Sequence, residues 1–179
     1  MLFGCGSVDV KKYEGTEPKI SFRKLYDSKV EGYGYFRDRS GEIGARYYVT
    51  LEPSWKGNIG TMKEYNYQED GKVTSRDWTI TMQDDNHFTA VGSDIDGVLT
   101  GESSGYAMHM DYVFNITREN GKKIALRFDD WTYLQPDGVV LNEVNLSKYG
   151  FHVGTLTYHL RKLKSGEKFK KGYFPEKRL

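Results

Sequence analysis

Two consecutive aspartates followed by a tryptophan, Asp129-Asp130-Trp131, are the residues in this sequence best placed to do chemistry. In an extended strand Asp130 shares a face with Leu126 and Phe128, while Asp129 shares the opposite face with Arg127 and Trp131. One carboxylate therefore projects with the apolar set. Desolvating it alone is very costly, so a cation or several hydrogen-bond donors must accompany it. Arg76, on one face with Trp78 and Ile80, is the expected partner, and Lys148 is a second. Such a pair would fix strand register, the favoured expectation, or would orient an apolar molecule as a polar anchor in a cavity. No nucleophile or second carboxylate stands at a recognisable spacing. No catalytic residue is assigned on these grounds, and the chain is read as a non-enzyme.

Other motifs with chemical overtones fail on context. Gly101-Glu102-Ser103-Ser104-Gly105 matches the spacing of a hydrolase nucleophile elbow, but an elbow needs a helix after the serine and a β-alternating segment follows at Tyr106. A Gly- and Ser-rich hairpin loop is expected instead. Asp94-Ile95-Asp96-Gly97 resembles part of a calcium loop but lacks the first carboxylate and the bidentate glutamate, leaving a turn with solvated carboxylates. His87, His109, His152 and His159 show no ligand spacing, so neither metal nor cofactor is expected.

The single cysteine, Cys5, excludes an internal disulfide and a cysteine-based zinc site. Leu2-Phe3-Gly4-Cys5 resembles the lipobox at which bacterial lipoproteins are cleaved and acylated. Phe3 is larger than the usual residue there. The charged and apolar parts of a signal peptide do not precede it, which implies a trimmed start or an initiator codon farther upstream. Acylation of Cys5 would give durable anchoring, because two or more chains hold where one is marginal. Gly6 in the following position matches the outer-membrane sorting rule of such lipoproteins, so the expected location is the periplasmic side of the envelope.

Strands must position these residues. From about residue 30 the chain alternates with period 2. Tyr106, Met108, Met110, Tyr112, Phe114 and Ile116 occupy one face of the clearest strand, a pattern no amphipathic helix produces. Asp70-Gly71 and Asn120-Gly121 are hairpin signals. About nine or ten hairpin-linked strands with no long helix favour an all-β, up-and-down, lipocalin-like barrel, since closure removes exposed edges; a β-sandwich is the alternative. The expected interior comprises Tyr33, Tyr35, Tyr47, Trp78, Met108, Met110, Tyr112, Phe114, Tyr133 and Tyr158. Expected boundaries are 1–16 for lipobox and tether, 17–163 for the barrel, and 164–179 for a basic tail.

The 26 Lys and Arg nearly balance 25 Asp and Glu, which argues against a nucleic-acid partner. Aromatic residues at 15% and only four prolines beside 20 glycines fit a strand-and-turn protein rather than a disordered one.

Several segments together carry a resemblance: the lipobox, Tyr35-Phe36-x-Asp38-Arg39-Ser40-Gly41, Glu69-Asp70-Gly71 with Arg76-x-Trp78, Asp129-Asp130-Trp131, and Lys148-Tyr149-Gly150. In this order they resemble the bacterial lipoproteins grouped as domain of unknown function 3833. Thr132 replaces the Met usual in that family. The resemblance implies envelope lipoproteins with a lipocalin-like barrel, and the family's proximity to fatty-acid-modifying enzymes makes a lipid or other apolar small molecule the expected partner. Candidate ligand contacts are Arg76, Trp78, Met108, Met110, Tyr112, Phe114, Asp130, Trp131, Tyr133 and Lys148, in a protein expected to be monomeric. Two other expectations stay open. A solid barrel with an exposed aromatic patch would indicate a structural or interaction lipoprotein. A strongly raised carboxyl pKa at Asp129 or Asp130 beside an open pocket would indicate a lipid-modifying or isomerising enzyme.

Overall fold

The computed structural model describes residues 8–117, 121–170 and 174; Cys5, Asn120 and the tail residues Lys171, Lys177 and Arg178 lie outside them. Ten strands follow one another as hairpins: β1 (Val30–Asp38), β2 (Ile43–Lys56), β3 (Ile59–Gln68), β4 (Val73–Met82), β5 (His87–Gly92), β6 (Ile95–Ser104), β7 (Ala107–Thr117), β8 (Lys123–Leu134), β9 (Val140–Lys148) and β10 (Phe151–Lys162). Each pairs antiparallel with its neighbours in sequence, and β1 pairs with β10 from Val30↔Lys162 to Asp38↔Gly154, closing the sheet into a barrel. The up-and-down barrel is therefore the architecture, and the sandwich alternative falls away.

The turns explain why the chain reverses where it does. Asp70 accepts from the amide of Lys72 at 2.9 Å, and Gly71 supplies the φ of 92° that its hairpin requires. Asp84 accepts from the amides of Asn86 and His87 at 2.7 and 2.8 Å, closing the connection between β4 and β5.

One end of the barrel is sealed and the other is open. At the base, the short helix α1 (Phe22–Leu25) precedes β1, and its Phe22 ring lies 4.2 Å from that of Phe88. Ile20, Leu25, Tyr26, Val30, Ile80, Met108 and Val140 join it in the main buried core. A helix of four residues is too short to show a periodic signal, which is why the sequence pattern misses it. Outside the same end, residues 10–13, within the segment expected as a tether, form a 3-10 turn. It places Tyr13 5.1 Å from Tyr106 and 6.1 Å from Trp131, ring to ring.

One element differs from expectation. Asp96-Gly97 and Gly101 to Ser104 are not loops but parts of β6. The physical reason is visible at Gly101: a Cβ there would sit 2.1 Å from the Phe88 ring, so the glycine leaves room for an inward aromatic rather than permitting a turn. Ser103 is paired in this strand opposite Met108, with no helix after it, which removes the structural basis of a nucleophile elbow.

Candidate functional site

Alternation sorts the side chains of each strand into a lumen set and an outer set. In β8 the inward order is Leu126, Phe128, Asp130 and Thr132, and in β7 it is Met108, Met110, Tyr112, Phe114 and Ile116. The lumen holds a cavity of about 720 Å³, running from Phe22 and Tyr26 at the base to Gln68, Lys72 and Thr117 at the mouth. Toward the mouth its wall is apolar, built on Leu126, Phe128, Val144 and Leu146, with Phe36 and Leu156 packed against them. Gly34 helps keep it hollow: any Cβ there would lie 2.3 Å from the Tyr158 ring, which instead lies flat against β1.

Between base and mouth runs a belt of polar side chains in two linked clusters. In the first, Arg76 donates from Nε to Asp94 at 2.6 Å and from Nη1 to Glu64 at 3.2 Å. Glu64 also accepts from the Trp78 indole at 2.8 Å and from Asn66 at 2.6 Å. The guanidinium lies 4.2 Å over the Phe114 ring. Burial alone would lower the Arg76 pKa, but Glu64 and Asp94 outweigh it and hold the group more firmly charged than usual.

In the second cluster Asp130 accepts from Asn142 at 2.6 Å and from the Tyr112 hydroxyl at 3.1 Å. Asp130 is only 6% exposed. Desolvation raises its pKa from 3.8 to about 6, against the opposing pull of these two hydrogen bonds. The Tyr112 phenol is pushed well up by burial and by Asp130, so it stays a neutral donor. Tyr158, raised by burial and by Glu64, behaves likewise and donates to Asn66 at 3.3 Å.

The structure thus places Arg76, Trp78, Met110, Tyr112, Phe114 and Asp130 on the cavity wall. Met108 packs in the solid core beneath it. Trp131 and Tyr133 point outward, where they pack with Val10, Ala107 and Tyr13. Lys148 contributes no lining atoms; its ammonium lies 5.2 Å over the Tyr149 ring near the tip of the β9–β10 hairpin. Of the wider interior set, Tyr47 and Tyr158 face the lumen, whereas Tyr33 takes part in the outer face and is 37% exposed. Tyr35 is also outward, its hydroxyl accepting from Arg37 at 3.3 Å.

Two expected partnerships are corrected. Asp130 pairs with neutral donors rather than with Arg76 or Lys148, because Arg76 is already claimed by two nearer carboxylates. Asp94 does sit in the β5–β6 turn, but its carboxylate is not left to solvent, for it reaches toward the lumen to meet Arg76. Glu64, Asn66 and Asn142 are belt members that the sequence pattern did not single out. Glu64 carried a usable signal, since it shares the inward face with Gly60 and Met62 as Asp130 does with Phe128. Asp129 faces outward as expected, accepting from the Trp131 indole at 3.1 Å and lying 2.7 Å from His109.

A family model described as a protein of unknown function (DUF3833) matches residues 1–162. A search of curated proteins finds no match.

Proposed function

The chain belongs to the DUF3833 family, whose description assigns no activity, and we propose that its barrel binds a lipid or other apolar small molecule within the bacterial envelope. The hollow lumen carries this reading. Its volume of about 720 Å³ falls in the range of roughly 300–1,000 Å³ typical of small-molecule pockets. Apolar walls with a few placed polar groups are what such a ligand needs. A barrel packed solid would have favoured a purely structural role, and the cavity weighs against it.

The anchoring part of the proposal rests on the sequence around Cys5. Acyl chains on that cysteine would hold the protein at the membrane, with the periplasmic face of the outer membrane as the proposed location. Denaturing mass spectrometry of protein from its native host tests this, with acyl-sized mass on the Cys5 peptide expected. An unmodified cysteine removes the anchor. Native mass spectrometry tests the cavity: an apolar molecule carried at one per chain supports it. Failure to co-purify any ligand or to take up added medium-chain amphiphiles refutes it.

One observation favours a second reading. A carboxyl titrating at about 6 on the wall of an open cavity, as Asp130 does, suits a general base near neutral pH. In that case Asp130→Asn would abolish turnover of a bound substrate while ligand uptake persists. A ligand recovered unchanged after long incubation speaks for binding alone.

A further inference from the structure

The polar belt carries more negative than positive charge. Among the described residues, Glu64, Asp94 and Asp130 face Arg76 as their one deep cation; Lys72 lines the cavity too, but at its exposed mouth. Most of the strong donors are turned to the belt's own acceptors, while the Tyr26 and Tyr47 phenols also line the cavity. Arg76 is spent on Asp94 and Glu64, the Trp78 indole on Glu64, and Asn142 and Tyr112 on Asp130. Tyr158 donates to Asn66. Carboxylates keep spare lone pairs after such bonds, since each can accept about four.

We propose that the lumen selects amphiphiles whose polar group is a donor-bearing cation, an alkylammonium rather than a carboxylate. The proposal rests on the cavity reading above and names its ligand class. A fatty-acid anion drawn to this depth finds a guanidinium already neutralised by two carboxylates, with a third on the same wall, so it meets net repulsion. An ammonium finds the reverse. Its three N–H groups meet the unused lone pairs of Asp130 and Glu64, and its charge offsets the excess of the belt. Its chain lies against Phe128, Leu126, Leu146 and Leu156 toward the mouth.

The order of groups along the lumen strengthens the case. In β3 the inward sequence from base to mouth is Met62, Glu64, Asn66 and Gln68, so the carboxylate lies deep and neutral amides lie nearer the opening. A ligand held head-inward therefore passes Lys72 at the rim and then neutral amides before it meets the carboxylates.

Isothermal titration of the full-length protein with dodecylammonium, dodecanol and dodecanoate, all below their micellar concentrations at pH 7.5, provides the test. One site per chain is expected, with the ammonium binding at least tenfold more tightly than dodecanoate. Asp130→Asn and Glu64→Gln should each cut the ammonium-to-dodecanol affinity ratio several-fold. Dodecanoate binding as tightly as the ammonium overturns the proposal, and so does a ratio that neither variant changes. Dodecanol bound without preference for the ammonium overturns the selectivity and leaves the cavity reading standing. If none of the three binds, both fall together.

Discussion

Replacing Asp130 with Asn should stabilise the protein at neutral pH, against the usual expectation for a buried, hydrogen-bonded side chain. The carboxyl titrates at about 6 in the folded chain and near 3.8 when exposed. The folded state therefore holds the proton more tightly than the unfolded state does. Between about pH 4 and pH 6 it carries more protons, so stability contributed by this group is full at the acid end and is lost as pH rises. At about 1.4 kcal/mol per pH unit the loss amounts to about 3 kcal/mol above the window. No discount for solvent is needed at 6% exposure. Asparagine keeps the shape and both bonds: its carbonyl accepts from Asn142, and its amide donates to the Tyr112 hydroxyl. Urea unfolding followed by tryptophan fluorescence, run on both proteins from pH 4.5 to 7.5, isolates the effect, because every other titration subtracts out. The variant should gain about 1–3 kcal/mol at pH 7.5, some 2–12 °C in Tm at roughly 2–4 °C per kcal/mol for a chain of this size, and about a third of that gain near pH 4.5. A difference independent of pH, or a variant less stable throughout, refutes the account of Asp130 as a desolvated carboxylate.

The same physics predicts the opposite sign at Arg76. Arg76→Leu strands Glu64 and Asp94 without their cation and should cost about 3–5 kcal/mol by chemical denaturation at pH 7.5, as breaking a buried pair usually does; a loss below about 1 kcal/mol would show the two carboxylates finding other partners. Gly34→Val presses a Cβ into the Tyr158 ring and the Thr157 carbonyl and should lower stability by about 1–3 kcal/mol or more, measured as Tm, with the cavity narrowed as well. On the outer face Glu31 is 1% exposed and bonds Tyr48 at 2.5 Å, Arg161 at 2.5 Å and the amide of Lys170 at 3.3 Å. Glu31→Ala should therefore speed hydrogen exchange at residues 163–170 relative to the strands; unchanged protection there would mean that Glu31 does not hold the segment.

The inward set of the longer strands was open to view from sequence alone. Tyr112, Phe114 and Asp130 fall on the lumen side because period-2 alternation survives over the whole of β7 and β8. What failed was pairing across the lumen. Arg76 and Asp130 share it, yet which carboxylate reaches the guanidinium depends on register and stagger around the barrel, and alternation says nothing about either. Asp94 was hidden for a related reason, because a short β5 brings the β5–β6 connection down to the level of Arg76. Trp131 and Tyr133 were misplaced through their size. Large aromatics suggest an interior, but here the interior they join is the small outer cluster under the 3-10 turn. Hollowness itself left one trace, the inward glycines of β1, whose purpose shows only once the side chains lying across them are known.

An even number of strands has a consequence for orientation. With ten hairpin-linked strands, the first begins and the last ends on the same side, and here that side is the floor capped by Phe22. Cys5 is three residues from Val8, at most about 11 Å of extended chain. A bilayer gripping that cysteine would have the floor of the cup toward it, rim turned outward into the aqueous space. Cargo would then be exchanged with something across the gap rather than with the leaflet that bears the anchor.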